Sequence, residues 1–174
     1  NALLKTLEEP GKATLILIAP SPESVLPTLV SRCQKIPFYR LDNAAMTQVL
    51  TQTGNAEVLQ HPEVLHIAAG SPGSAIASYQ QLQNINSEFI AQVKKTPTSY
   101  RHAFELGKKI DKELDTEAQL WLIDYLQQYY WQQIHQPEII QQLEKTRKHL
   151  LCYAQPRLVW ECTFLALFQN IAKS

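Results

Sequence analysis

Thr14-Leu-Ile-Leu-Ile-Ala19, followed by Pro20-Ser-Pro-Glu-Ser24 and then by Gln34-Lys-Ile-Pro-Phe38, carries the decision about fold class. The first run is continuously apolar and rich in β-branched residues between Gly11 and Pro20, the pattern of a strand buried on both faces. Ser24 ends the loop as a candidate cap. Residues 25–31 then supply two helical turns, with Pro27 in the first turn, where its missing donor is tolerated. Residues 34–38 return to extended backbone, so residues 14–38 predict a βαβ unit with parallel, right-handed topology. Two strands make no stable sheet. The remainder of an α/β domain is therefore expected upstream of Asn1. The chain also opens on Asn rather than Met, inside what reads as a running helix, as a piece of a longer protein would.

From Leu41 onward the pattern is helical. Asp42 is placed to cap a helix carrying Ala45, Met46, Val49 and Leu50 that stops near Gly54. Pro62 starts a second, with Val64, Leu65, Ile67 and Ala68, closed by Gly70. Ser71-Pro72 opens a third, with Ala75, Ile76, Tyr79 and Leu82 inward, and Ser87 is a candidate cap for a fourth with Phe89, Ile90 and Val93 inward. Lys94-Lys-Thr-Pro-Thr-Ser99 has the composition of a linker. Beyond it, Tyr100, Ala103, Phe104, Gly107 and Ile110 recur at helical spacing, and residues 116–135 read as one long helix. Along that helix Trp121, Leu122, Tyr125, Leu126, Tyr129, Tyr130 and Trp131 cover more than half of its circumference, broader than one core-facing stripe. Pro137 and Pro156 start the last two helices, the final one apolar almost all round.

The 174 residues carry 16 Lys+Arg and 16 Asp+Glu, so the whole chain offers no net field to attract nucleic acid or anionic lipid. Hydrophobic residues make up 45%, which places the chain among globular rather than disordered sequences. No apolar run is long enough for a membrane span and no signal peptide opens the chain, so a soluble, cytoplasmic protein is expected. Cys33, Cys152 and Cys162 form no Cys-x-x-Cys pair and too sparse a set for a disulfide scaffold; all three read as reduced.

Catalytic constellations are scarce. His61, Glu63 and His66 resemble a metal site at a glance, but five helical residues turn the two imidazoles about 140° apart, unlike His-Glu-x-x-His. No metal is expected. Glu8-Glu9 before Pro10 reads as a solvated turn rather than an acid/base pair. Gly70-Ser-Pro-Gly-Ser74 could offer backbone amides to a phosphate, yet a plain junction accounts for it: Gly70 ends one helix, Ser71 caps the next and Pro72 begins it. The Gly-x-x-x-x-Gly-Lys-[Ser/Thr] loop is absent, so no nucleotide cofactor is expected on these residues. Arg32, between Ser31 and Cys33, follows a short helix, where a cation complements the helix dipole. Taken alone, that is its whole explanation.

Two neighbourhoods change that. Asn1-Ala-Leu-Leu-Lys-Thr-Leu-Glu-Glu-Pro10 and Ser31-Arg-Cys33, joined by the apolar run and Leu26-Pro-Thr-Leu, resemble the nucleotide-binding domain of bacterial DNA polymerase clamp loaders. The resemblance is strong over the first forty residues and rests on pattern and length beyond them. It implies a truncated AAA+ domain at 1–40, a helical lid at 41–95 and a helical collar at 96–174 that holds a five-subunit ring together. It also implies that Arg32 reaches across a subunit boundary to a neighbour's nucleotide. ATP-hydrolysing members carry Thr or Asn at the strand end occupied here by Ala19-Pro20, and an Arg near Gly73; both features are missing. Gly70-Ser-Pro-Gly73 is similar to the delta-prime branch of the family, which hydrolyses nothing itself but donates the arginine.

The expected fold is therefore mainly α with a partial α/β segment. The expected function is that of a delta-prime-like ring member in the polymerase holoenzyme, with no independent activity. Gamma/tau and delta subunits in a hetero-pentamer, the sliding clamp and primed DNA are the partners this implies. Arg32 would be the catalytic finger, Ser31 and Cys33 its supports, and no cofactor would be held. The broad apolar faces predict a subunit interface at Trp121, Tyr125, Tyr129, Trp160, Phe164 and Phe168, with residues 96–174 sufficient to join the ring. An ATP-hydrolysing gamma/tau-type subunit and an all-helical adaptor are the alternatives.

Overall fold

The structure, a computed structural model, describes residues 12–133 and 135–171, with side chains to Gln169. The chain divides into two units, Asn1–Tyr39 and Arg40–Ser174.

The βαβ unit expected in the first unit is not seen: there is no strand among the described residues. Residues 14–19 and 34–38 are extended but unpaired in any ladder, and Ile16 and Ile18 are 82% and 96% exposed. The physical reason is that β propensity measures packing against neighbours rather than a backbone preference. Without an adjacent strand, an apolar run has nothing to lock it. The expected two-turn helix is also shorter. A 3-10 turn at Pro22–Ser24 precedes α1, Pro27–Val30, each started by its proline.

The second unit is helical throughout its described elements. Helix α2, Asn43–Gln52, starts where Asp42 Oδ1 accepts from the Ala45 N–H at 2.8 Å. A 3-10 turn at Ala56–Gln60 leads to α3, Pro62–Ala68, and α4, Pro72–Asn84. Met46, Leu50, Val58, Val64, Ala68 and Ala75 close into a first small core. Helix α5 is Ser87–Lys94, capped by Asn86, whose Oδ1 accepts from Glu88 N–H at 2.8 Å, and not by Ser87.

Helices α6, Tyr100–Glu113, α7, Thr116–Gln133, α8, Pro137–Leu151, and α9, Pro156–Ile171, surround a second, larger core. Ser99 caps α6 and Asp115 caps α7. The long helix stops short of the expected His135, which takes a left-handed φ of 55°. Tyr100 meets Phe168 edge to face at 5.1 Å, and Gly107 lies directly against Glu161, so α6 and α9 run antiparallel. That approach needs glycine, because a Cβ at 107 would sit 2.8 Å from the Glu161 backbone nitrogen.

Within the core several polar side chains are paired, whereas the buried Trp121 Nε1 has no hydrogen-bond partner among the described residues. The Trp160 indole N–H donates to Gln119 Oε1 at 2.9 Å, and Gln119 Nε2 donates to the Leu114 carbonyl at 2.9 Å. The Thr146 and Thr163 hydroxyls meet at 2.6 Å between α8 and α9. Arg147 ties α8 to α7 through Asp124. Helix α5 shares this core: Phe89, Ile90 and Val93 are buried in it with the bundle residues.

Candidate functional site

Arg32 is placed by the turn that ends α1. Pro27 starts the helix, and the N–H groups of Ser31, Arg32 and Cys33 bond back to Pro27, Leu29 and Val30, so the chain leaves as a tight turn. The Ser31 hydroxyl donates to the Thr28 carbonyl at 3.1 Å. Arg32 Nη1 donates to the same carbonyl at 2.9 Å. Ser31 and Arg32 are exposed, while Cys33 is half-buried with a free thiol. The guanidinium thus folds back on its own helix end, where the carbonyls carry partial negative charge. In the 3-10 turn before α1, the Glu23 carboxyl is held below the usual carboxylate range, first by its own backbone N–H and then by Ser21.

Ala19 and Pro20 are exposed and present no polar side chain. The Gly70-Ser-Pro-Gly junction is a helix-to-helix turn: Ala69 and Gly70 both have positive φ, and the Ser71 hydroxyl accepts from Ser74 N–H at 3.3 Å. Gly70 is required, since a Cβ there would lie 2.6 Å from the Leu41 carbonyl oxygen. Gly73 is different. A Cβ at that position meets nothing within 4 Å, so packing does not demand the glycine.

The residues expected at a subunit contact do not form an exposed patch. Trp121, Tyr125, Trp160 and Phe164 are at most 8% exposed and lie inside the chain's own core; Tyr129 and Phe168 are half-buried. Helix α7 packs against several neighbours at once, so much of its wide apolar face is buried within the bundle. Outward apolar residues of the bundle include Tyr100, Phe104, Trp131, Leu151 and Leu158, 44–57% exposed, and Tyr153, 96% exposed. Tyr100 and Phe104 share the helical spacing of Ala103, Gly107 and Ile110, but the buried stripe of α6 is Ala103, Leu106, Gly107 and Ile110. The motif of residues 1–10, with Glu8-Glu9, lies outside the described residues. His61 Nδ1 stands 3.7 Å from Glu63 Oε1 with its ring against Tyr79. Among the described residues no helix is long and apolar enough to cross a membrane.

Residues 44–167 match the family described as Cyanobacterial DNA polymerase III delta prime, C-terminal domain, and residues 1–42 match the one described as DNA polymerase III, delta subunit. The chain is 45% identical over 53 residues to DNA polymerase III subunit delta' of Bacillus subtilis (strain 168), covering 30% of this chain and 16% of that one. Against subunit delta' of Escherichia coli (strain K12) it is 38% identical over 85 residues, 46% of this chain and 24% of that one. Against subunit gamma/tau of Mycobacterium tuberculosis (strain ATCC 25618 / H37Rv) it is 34% identical over 124 residues, 68% of this chain and 20% of that one. The matched part therefore spans a quarter or less of each of these relatives. No solved structure matches the chain. With residues 44–167, the helical unit almost entire, inside one family, the chain belongs to the family of DNA polymerase III delta prime C-terminal domains.

Proposed function

We propose that this chain is part of a delta-prime-type subunit of the bacterial clamp loader, and that it acts on a neighbour's ATP through Arg32. The observation that carries the reading is Arg32 itself: exposed, at the end of α1, between Ser31 and Cys33, upstream of a helical region that belongs to the delta prime family. A guanidinium is planar and permanently charged, and offers paired N–H groups matched to phosphate oxygens. In trans it would neutralise charge developing on the transferred γ-phosphoryl. Among the contacts it would exchange on leaving its helix end are exposed hydrogen bonds to the Thr28 carbonyl and the Ser31 hydroxyl, which water can replace. Ser31 and Cys33 shape the turn that aims it. In this reading the chain holds no nucleotide of its own, because Ala19-Pro20 and Gly73 supply no polar group to one. Its partners are gamma/tau and delta subunits in a cytoplasmic hetero-pentamer that loads the sliding clamp onto primed DNA.

The test is the DNA- and clamp-stimulated ATPase of a reconstituted loader in which only this subunit, at full length, carries Arg32→Ala. Arginine fingers contribute about 10³–10⁵ in rate at their own site. The summed rate of the complex should fall less, since other interfaces keep their arginines. Arg32→Lys should rescue poorly, because an ammonium keeps the charge and loses the fork. An unchanged rate in an intact complex would leave an adaptor role for the chain. The likeness to gamma/tau over 124 residues supports a second reading, an ATP-hydrolysing subunit. Titration of the full-length subunit with ATP separates the two, since only that reading expects saturable binding.

A further inference from the structure

An open cleft of about 770 Å³ runs along α5 in the helical unit, within the size range of sites that hold small ligands. Ile90, Ala91 and Lys94 follow Ser87 by three, four and seven residues, so the four share one face of α5 and form one wall. His61 and Glu63, at the start of α3, and Leu82, near the end of α4, close it, and Tyr125 of α7 lines it as well. Ile90 and Tyr125 are buried and Leu82 packs against the bundle core, so the deep lining is apolar.

Lys94 is half-buried, its ammonium 4.9 Å and 5.0 Å from the ring centres of Tyr125 and Tyr129. The ring faces attract the cation. They leave its three N–H donors without an oxygen acceptor, and among the described residues the ammonium makes no hydrogen bond or ion pair. Glu63, the carboxylate among the lining residues, stands 3.7 Å from His61 instead. The cation is also held in place. The Tyr130 hydroxyl donates to the Lys94 carbonyl at 3.2 Å, and Lys109 donates to Gln92 Oε1 at 2.7 Å while covering the Phe89 ring, so α5 is fixed to the bundle. A donor fixed beforehand loses little freedom when an acceptor arrives.

We propose that this cleft binds a carboxylate with an apolar body, the carboxylate accepting from the Lys94 ammonium and the body covering Leu82, Ile90 and Tyr125. Charge sets the ligand class. One ammonium beside one carboxylate leaves no surplus positive charge for a phosphate, and the lining holds no arginine fork, the group that phosphate recognition favours. A single negative charge on an apolar skeleton matches one cation above an apolar floor. A free organic acid and the terminal carboxylate of a peptide share this chemistry. The site stands whether or not Arg32 acts on a neighbour's nucleotide.

Methyl NMR spectra of the full-length subunit test it, with titration by phenylacetate, by N-acetyl-leucyl-phenylalanine with a free C-terminus, and by the amide of each. At least one acid should shift the Leu82, Ile85 and Ile90 methyls saturably and leave Ile139, buried elsewhere in the bundle core, unmoved. The amides should bind about ten-fold more weakly or worse, because a hydrogen bond to a charged group is lost. Lys94→Met, which keeps an unbranched stem against the tyrosine rings, should lose the same factor for the acids and nothing for the amides. Equal affinity for acid and amide in the parent protein would overturn the proposal without any variant, by reducing the cleft to an apolar crevice. Tighter binding of phenyl phosphate than of phenylacetate would also overturn it, as would the lack of a saturable shift with either acid up to about 10 mM, weaker than any useful site. Tighter binding of the peptide acid assigns the cleft to a partner's C-terminus, and tighter binding of phenylacetate to a small organic acid; either result upholds the carboxylate site.

Discussion

Gly107→Ala is a sharp test of how α6 and α9 meet. The added methyl would lie 2.8 Å from both the Glu161 backbone nitrogen and its Cγ, and 3.1 Å from its Cα. Cγ can swing aside, but the backbone atoms cannot, so the two helices must part by about half an ångström or more to restore ordinary contact. Parting them loosens Leu106, Ile110, Trp160 and Phe164, all 3% exposed or less. Inserting a methylene-sized group into a packed core typically costs about 1–3 kcal/mol, and rigid backbone opposite argues for the upper half of that range. Alanine regains about 1 kcal/mol of helix propensity over glycine. The net expectation is a loss of about 1–2 kcal/mol, or roughly 2–8 °C in Tm for a chain of this size. Gly73→Ala is the internal control. It makes the same chemical change in a helix but meets nothing within 4 Å, so it should be neutral or stabilising by up to about 1 kcal/mol. Chemical and thermal denaturation followed by circular dichroism measures both. A Gly107→Ala chain as stable as the parent would refute the close approach of α6 and α9.

Gln119→Ala should destabilise by about 3 kcal/mol, because it strands the buried Trp160 N–H and the Leu114 carbonyl together and leaves a void; a loss below about 1 kcal/mol in urea denaturation would contradict that pairing. Burial, and secondarily the neighbouring Tyr129, hold the Tyr130 phenol above its ordinary pKa. The unfolded chain loses this proton near pH 10 while the folded chain keeps it, so the unfolded state binds fewer protons and stability falls as pH rises above about 10. Between pH 9 and 11 the parent should lose about 1.4 kcal/mol more than Tyr130→Phe, and parallel curves would exclude a buried neutral phenol. Arg32→Ala should change stability by less than about 0.5 kcal/mol, as a substitution at an exposed side chain; a larger loss in the same denaturation series would mark Arg32 as structural.

The sequence by itself determined what depends on neighbours a few residues apart. The caps at Asp42 and Ser71, the proline starts at 62, 72, 137 and 156, and the Gly70 turn each rest on local backbone hydrogen bonds or a fixed φ, and each stands in the structure where the residues put it. Arg32 was singled out by a resemblance rather than by its local backbone, which speaks only of a cation at the end of a short helix. Tertiary structure decided everything that depends on what lies across a gap. Residues 14–19 have the composition of a buried strand and are exposed coil here, because a strand is made by its ladder partner. Trp121, Tyr125, Trp160 and Phe164 have the composition of an interface and fill the chain's own core, because several helices converge on α7. Helix α5 precedes a linker-like segment and yet packs with the bundle, because burying Phe89 and Val93 and seating Lys94 on two tyrosine rings outweighs proximity in sequence. Apolar periodicity says that a face will be buried; the hydrophobic effect is non-directional, so only the assembled fold says against what.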